Sequence, residues 1–167
     1  REDYIEIADI PDGDGTQNDP YQMATVENLL WLSEHRNHWD KYYVQTADIN
    51  ASKTRNWNNG HGIRPIGNVS RSFSGCYNGD GHIIDSLYIN YSSTGLVGFF
   101  GYGVNAEISN LELTHAHIKG EDYVGGLIGK CTATTITNCY CDGDVQGHVC
   151  WDWIDMHVCI PIGNRIG

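Results

Sequence analysis

Basic residues are scarce. The chain has 10 Lys and Arg against 21 Asp and Glu, a formal net charge of −11 and an isoelectric point near 4.9. Binding to nucleic acid draws on phosphate neutralisation by Lys and Arg, so a nucleic-acid partner is excluded. A basic anchor for a membrane surface is excluded on the same ground. Long apolar runs are missing too. Mean hydropathy is −0.40, and no stretch approaches the roughly 18 apolar residues that span a bilayer, so membrane insertion is not expected. Charged residues make up only 19%, below the usual ~25% and unlike a coiled coil. The six cysteines (76, 131, 139, 141, 150 and 159) contain no CxxC pair, which removes zinc ribbons and thioredoxin-like redox motifs. Glu34-His35-x-x-His38 is not the HExxH of a metallopeptidase. No cofactor is expected.

What remains suits one turn-rich β domain. The 167 residues fall within the range of about 100–200 typical of a domain. A chain of this size can bury roughly 70% of its unfolded surface, so a core is expected. Glycine is abundant at 20 residues and joins many Asn, Thr and Ser, a composition of short strands and tight turns. The sequence starts at Arg1 without a Met, and a mature or trimmed chain is expected.

Residues 1–40 read as an acidic lead-in segment and a capping helix. Asp12-Gly13-Asp14-Gly15 is turn chemistry, closed by Asp19-Pro20. A helix is predicted from about Thr25 to His35, with Thr25 as N-cap. Val26, Leu29 and Leu30 recur at helical spacing, and Trp31 and Leu32 widen that face. Such a helix is expected to cover the open end of a sheet. Residues 41–147 read as short strands, beginning with Tyr42-Tyr43-Val44-Gln45 and Asp48-Ile49-Asn50. Residues 148–167 form a tail.

Three segments look alike: Ile84-Asp85-Ser86-Leu87-Tyr88-Ile89, Ile108-Ser109-Asn110-Leu111-Glu112-Leu113 and Ile136-Thr137-Asn138-Cys139-Tyr140-Cys141. Their starts differ by 24 and 28 positions. Gly95-Leu96-Val97-Gly98 matches Gly126-Leu127-Ile128-Gly129 at an offset of 31. Repeats of this length suggest a solenoid of parallel strands. Three inward columns are expected: Ile84, Ile108 and Ile136; Leu87, Leu111 and Cys139; Ile89, Leu113 and Cys141. Cys139 and Cys141 are expected to pack as small hydrophobes.

These residues carry a resemblance. Tyr123-Val124-Gly125-Gly126-Leu127-Ile128-Gly129, followed by Ile136-Thr137-Asn138-Cys139-Tyr140-Cys141-Asp142-Gly143-Asp144-Val145-Gln146-Gly147, resembles the GLUG repeat. That family's pattern is a VGGLVG unit followed by I-x-N-C-Y-x-x-G-x-V-x-G. Upstream, Pro20-Tyr21-Gln22-Met23, Pro65-Ile66-Gly67 and Asn78-Gly79-Asp80-Gly81-His82-Ile83-Ile84 fit the approach to such arrays. The resemblance covers roughly residues 13 to 147. It implies a right-handed parallel β-helix on secreted or surface-exposed bacterial proteins, adhesin-like proteins among them. The family also occurs in accessory regions of immunoglobulin-A-cleaving metallopeptidases, whose activity does not carry over without their zinc motif. After Gly147 the pattern departs. The tail from Trp153 to Asn164 instead echoes Trp57 to Asn68 at a separation of 96, and it is expected to begin a further unit of a longer array.

Candidate chemistry is sparse. Asp12, Asp14 and Asp19 offer oxygen ligands for calcium, but they lack the terminal Glu of an EF-hand loop, and an Asx-rich turn is the favoured reading. His115-Ala116-His117 would place two imidazoles on one strand face, without an identifiable third ligand for zinc. No metal site is assigned. Hydrolysis of glycans needs paired carboxylates about 5–10 Å apart. Asp80, Asp85, Glu107 and Glu112 fall at different places in the repeat and read as solvated surface acids. Trp151 and Trp153 would lie on one face of an extended strand and are the candidate ligand-binding pair, either stacking on sugar faces or covering the last rung. Cys150, Cys159 and Cys131 could bridge, a matter for geometry. Asn50, Asn68 and Asn90 begin Asn-x-Ser sequons.

The expected fold is all-β: a short right-handed parallel β-helix, a solenoid, with an N-terminal α-helical cap. The expected function is a non-catalytic structural or adhesive module of a secreted or cell-surface bacterial protein. The competing reading is a carbohydrate-binding or carbohydrate-active β-helix using a lateral groove or the Trp151/Trp153 pair. Expected partners are a glycan, another surface protein, or a second copy joined through a coil end.

Overall fold

Thr25 starts α1 (Val26–Glu34), as the sequence predicts. Its hydroxyl accepts from the Asn28 N–H, and the Asn28 side chain accepts from the Thr25 N–H. This reciprocal cap satisfies donors a helix start leaves orphaned and is worth about 1 kcal/mol. Asn28 is itself buried because its amide also donates to the Asp9 carbonyl, 3.0 Å away. The helix buries nearly all of its circumference: Val26, Leu29, Leu30, Trp31 and Leu32 are all within the core.

The computed structural model describes residues 7–148. They form twelve strands: β1 (Tyr21–Met23), β2 (Tyr42–Gln45), β3 (Ile49–Asn50), β4 (Cys76–Asn78), β5 (Ile83–Asp85), β6 (Tyr88–Asn90), β7 (Phe100–Val104), β8 (Glu107–Ser109), β9 (Glu112–Asp122), β10 (Ile128–Thr132), β11 (Thr135–Thr137) and β12 (Tyr140–His148). One sheet runs β1-β2-β4-β8-β11, a second β12-β9-β5-β3 with β6 also on β9, and a third pairs β10 with β7. Every pairing between these strands is parallel. Parallel neighbours require a crossover. From β4 onward the chain makes it by visiting the first, second and third sheets in the same order. Among the described residues the architecture is therefore mostly strand with a single α-helix.

Register aligns the inward residues into columns. Tyr21, Tyr43, Tyr77, Ile108 and Ile136 face one another along the first sheet. Ile49, Ile84, Leu113 and Cys141 do so along the second. Ile89, Ile118 and Val145 form another column, and Phe100 lies between Ile66 and Ile128. Most of these side chains are essentially solvent-free, and full burial of a residue such as Ile or Leu is worth ~1.5–3 kcal/mol. Trp31 of α1 packs edge-on against Tyr21, ring centroids 5.2 Å apart, at the outer end of the first sheet.

Two parts of the predicted register are corrected. Ile108 stacks on Ile136, and Leu113 on Cys141, as expected. Ile84, however, lies beside Leu113 instead of Ile108, and Ile89 beside Ile118 instead of Leu113. Likewise Val97 pairs with Val124 and Phe100 with Ile128, so the two Gly-Leu-x-Gly units do not superpose. The cause is local. Ser86, Asn110 and Asn138 all adopt positive φ and turn a corner between apolar neighbours. The Ser86 corner is one corner further round than the other two, because Ser86 donates its N–H to Thr114 and not to the Asn110 region.

The Asn110 corners also carry a ladder absent from the sequence reading. The Asn138 amide donates to the Asn110 side chain at 2.8 Å, and the Asn110 amide donates to Asn78 at 3.1 Å. Asn suits this place twice over, since it tolerates the left-handed region and offers both a donor and an acceptor. Cys141 is buried as expected, while Cys139 is only partly so. No helix among the described residues is long and apolar enough to cross a membrane.

Candidate functional site

The described surface offers one organised polar face, built on the second sheet. Where Ile89, Ile118 and Val145 point inward, their neighbours point outward in register. Tyr88, His117 and Asp144 form one outward column, and Asn90, Lys119 and Gln146 form the next. The Tyr88 and His117 rings are stacked, 4.9 Å between centroids and 7° between planes. The Arg55 guanidinium sits 5.3 Å from the Tyr88 ring centre. At the other end, His117 Nδ1 lies 3.5 Å from Asp144. The result is an Arg–Tyr–His–Asp ladder running across successive strands. Its π faces and its flanking amides suit planar or hydroxylated ligands.

A second cluster lies beside it. Asp85 accepts from the Thr114 hydroxyl at 2.7 Å, from His115 at 2.7 Å and from the Ser86 hydroxyl at 2.9 Å. The His115 interaction, and then those of Thr114 and Ser86, hold the Asp85 carboxyl below its usual range. His115 in turn is raised above its ordinary value, chiefly by its hydrogen bond to Asp85. The expectation of a solvated surface acid is corrected here: Asp85 is tied to three side chains. His115 and His117 do not act together. His115 takes positive φ, which breaks strand alternation, and the two imidazoles turn to different carboxylates.

The sign of the resulting pH dependence follows from linkage. A raised His115 pKa contributes stability that is present below the unfolded value of about 6.5 and is lost as pH rises through the folded value. A lowered Asp85 pKa contributes stability that is lost as pH falls through its own folded value. We expect NMR titration of the His115 ring to show a midpoint above the ordinary one. Asp85→Asn should bring it down toward that value, and an unchanged midpoint in this variant would remove the pair. The same geometry recurs at His82–Asp48 (3.1 Å) and His148–Asp122 (3.3 Å).

The remaining candidates separate. Trp151 and Trp153 lie outside the described residues, as do Cys150, Cys159 and the tail that echoes residues 57–68. Asp14 accepts from the Thr16 N–H at 2.9 Å, and Asp19 gives its N–H to the Thr16 hydroxyl and its carbonyl to Asp14 and Gly15. This loop is closed on itself as an Asx turn. Among the described residues no group of three His, Cys, Asp or Glu side chains converges. Asp80 takes positive φ in a turn, and Glu107 lies 3.9 Å from the Cys76 thiol. The four acids do not gather in one groove. Sequence reasoning missed Tyr88 and His117 as partners. Their separation of 29 positions equals that of Ile89 and Ile118, so the correct register would have revealed them. Asp144 follows in the same way, since its separation of 27 from His117 equals that of Val145 from Ile118, while Arg55 carries no such signal.

No protein-family model matches the sequence. The chain is 34% identical over 152 residues to halomucin of Haloquadratum walsbyi, a match to 89% of this chain and 2% of that protein. It is also 34% identical over 126 residues to a candidate Gly-rich membrane protein of Evansella cellulosilytica, covering 71% of this chain and 14% of that protein. The chain thus spans a small fraction of the length of these relatives. Among solved structures, it resembles a candidate immunoglobulin A1 protease of Bacteroides ovatus with a TM-score of 0.58 at 21% identity, over 78% of this chain and 40% of that one. At this identity the likeness is one of fold: the strand stack described above is shared with part of that protein.

Proposed function

We propose that the chain is a GLUG-type right-handed parallel β-helix capped by α1, and that it serves as a non-catalytic structural or adhesive module of a secreted or cell-surface protein. The observation that carries this reading is the outward ladder. Tyr88, His117 and Asp144, with Asn90, Lys119 and Gln146 beside them, lie in register on a face whose inner side is a continuous core. Stacked strands of this kind build a stiff support that presents several weak contacts side by side, and multivalent display converts weak contacts into avidity. Three facts support the reading. The similar proteins include a halomucin and a membrane protein. The neighbouring fold is shared with only part of its longer chain. Asp80 sits in a turn, Asp85 is held by three side chains and Glu107 lies against the Cys76 thiol.

The test is an array of surface glycans and glycoproteins, probed with the full chain and with a Tyr88→Ala, His117→Ala variant. Both side chains are only half-buried, so the variant should keep its fold and its circular dichroism spectrum. Retention is expected to fall about tenfold or more in the variant, as loss of a stacking pair repeated across contacts would give. No cleavage products should appear. Equal retention by both proteins, or release of fragments from the arrayed glycans, would sink the reading.

A further inference from the structure

A cleft of about 530 Å³ opens between the end of α1 and the segments 64–69 and 91–97. Its size falls within the roughly 300–1,000 Å³ typical of small-ligand sites. Its chemistry contrasts with the rest of the molecule. On a chain of net charge −11, two arginines, Arg36 and Arg64, line this one cleft with a single acid, Glu34. Among the described residues neither arginine forms an ion pair, whereas Lys41, Lys53 and Arg71 do. Two guanidiniums and one carboxylate leave one positive charge, which matches a monoanion better than a phosphate or a polyanion.

The helix end does not oppose an anion as a bare C-terminus would. The Leu30, Trp31 and Leu32 carbonyls are taken by the Ser33 hydroxyl, by His35 and by the Trp39 indole N–H, each at 2.7 Å. One wall is apolar, formed by Trp39, Pro65 and Val69, and Val69 stands 80% exposed at the rim. Tyr91 also lines the cleft, and its hydroxyl is buried beside Arg64 without a hydrogen bond of good geometry. A buried unpaired hydroxyl costs about 1–3 kcal/mol and is a place where a ligand group can be gained. Burial raises the Tyr91 pKa, and Arg64 beside it works in the opposite direction.

We propose that this cleft binds a carboxylated sugar, with Arg64 and Arg36 taking the carboxylate, the apolar wall taking a ring face, and Tyr91 bonding a ring substituent. Guanidinium forks match carboxylates bidentately, and aromatic-apolar walls suit the C–H face of a pyranose. The site is separate from the Tyr88–His117 ladder, so it stands or falls independently of adhesion through that face.

The experiment is calorimetric and NMR titration of the full chain with glucuronate. Glucose serves as the ring without the charge, and acetate as the charge without the ring. Saturable binding of glucuronate is expected, with glucose and acetate each weaker by about tenfold or more, since a lost charge-assisted contact is worth roughly one decade. Arg64→Gln, on an exposed side chain, should lose about tenfold and Tyr91→Phe about threefold, while Tyr88→Ala, His117→Ala should bind as the unaltered chain does. Three results would overturn the proposal: no saturable glucuronate binding, glucose binding as well as glucuronate, or unchanged affinity in a folded Arg64→Gln variant.

Discussion

Gly129→Ala is expected to cost about 4 kcal/mol or more, at the damaging extreme for a single added methyl. A Cβ at Gly129 would lie 2.5 Å from the Tyr123 carbonyl oxygen, 2.8 Å from the Val97 nitrogen and 2.9 Å from the Gly101 carbonyl oxygen. All three obstacles are main-chain atoms, from segments that are themselves paired. No side chain can rotate away to make room, so the strands must separate, and close-packed interiors resist that. The φ of Gly129 lies outside the left-handed region, so the expected cost is one of space and not of torsion. Gly60→Ala is the matched control. Its φ is +83° and nothing lies within 4 Å of its added Cβ, so it should cost only the left-handed penalty of roughly 1–2 kcal/mol. Urea unfolding of the two variants compares them directly. Similar midpoints would mean that the backbones around Gly129 are not in contact.

The second large effect is expected at Gln45, which is fully buried. Its amide nitrogen donates to the Ile83 carbonyl at 2.8 Å and to the Ala47 carbonyl at 3.0 Å, and its oxygen accepts from the Tyr77 hydroxyl at 3.2 Å. This one side chain ties β2 to the approach to β5 and satisfies the only polar atom of a solvent-free tyrosine. Gln45→Leu keeps most of the volume, breaks three buried hydrogen bonds and strands the Tyr77 hydroxyl. At about 1 kcal/mol for each lost bond, and more for a stranded group, a loss of about 3 kcal/mol or more is expected. Adding Tyr77→Phe removes that stranded group, so the double variant should regain part of the loss. A Gln45→Leu protein as stable as the original would show that the amide is not what joins these strands.

Much of the fold was legible because its signals are local. Thr25 stands just before Val26, Leu29 and Leu30, and a cap residue followed by that helical spacing is enough to place α1. Alternating apolar residues around Ile108 and Ile136 place two stacked strands. The phase of the earlier turn was not legible, for a physical reason. A short apolar strand, a small residue at positive φ and another apolar residue describe each of several corners, so local similarity cannot tell which corner is which. Tyr77 is the true neighbour of Ile108, and nothing about a tyrosine next to Cys76 announces that. Gln45 was equally hidden, since its partners at 47, 77 and 83 meet only after the chain has turned. The candidate sites followed the same rule. Asp85 and His115 are engaged across strands 30 positions apart, and the cleft draws on α1 and on two distant loops.

The inward columns also change in size along the stack. Tyr21, Tyr43 and Tyr77 give way to Ile108 and Ile136, while Ile49, Ile84 and Leu113 give way to Cys141. A stack of parallel strands with identical layers could slip by a whole layer, or exchange layers with a second chain, at little cost, because every layer would fit every neighbour. Here a slip would set a phenol ring where a butyl group belongs and open a void at the place it left. Voids and overpacking both carry penalties that grow with the mismatch. The gradation in volume therefore numbers the layers. It fixes which layer follows which by shape, alongside the hydrogen bonds of Gln45, and it gives the column of the first sheet a large end and a small end.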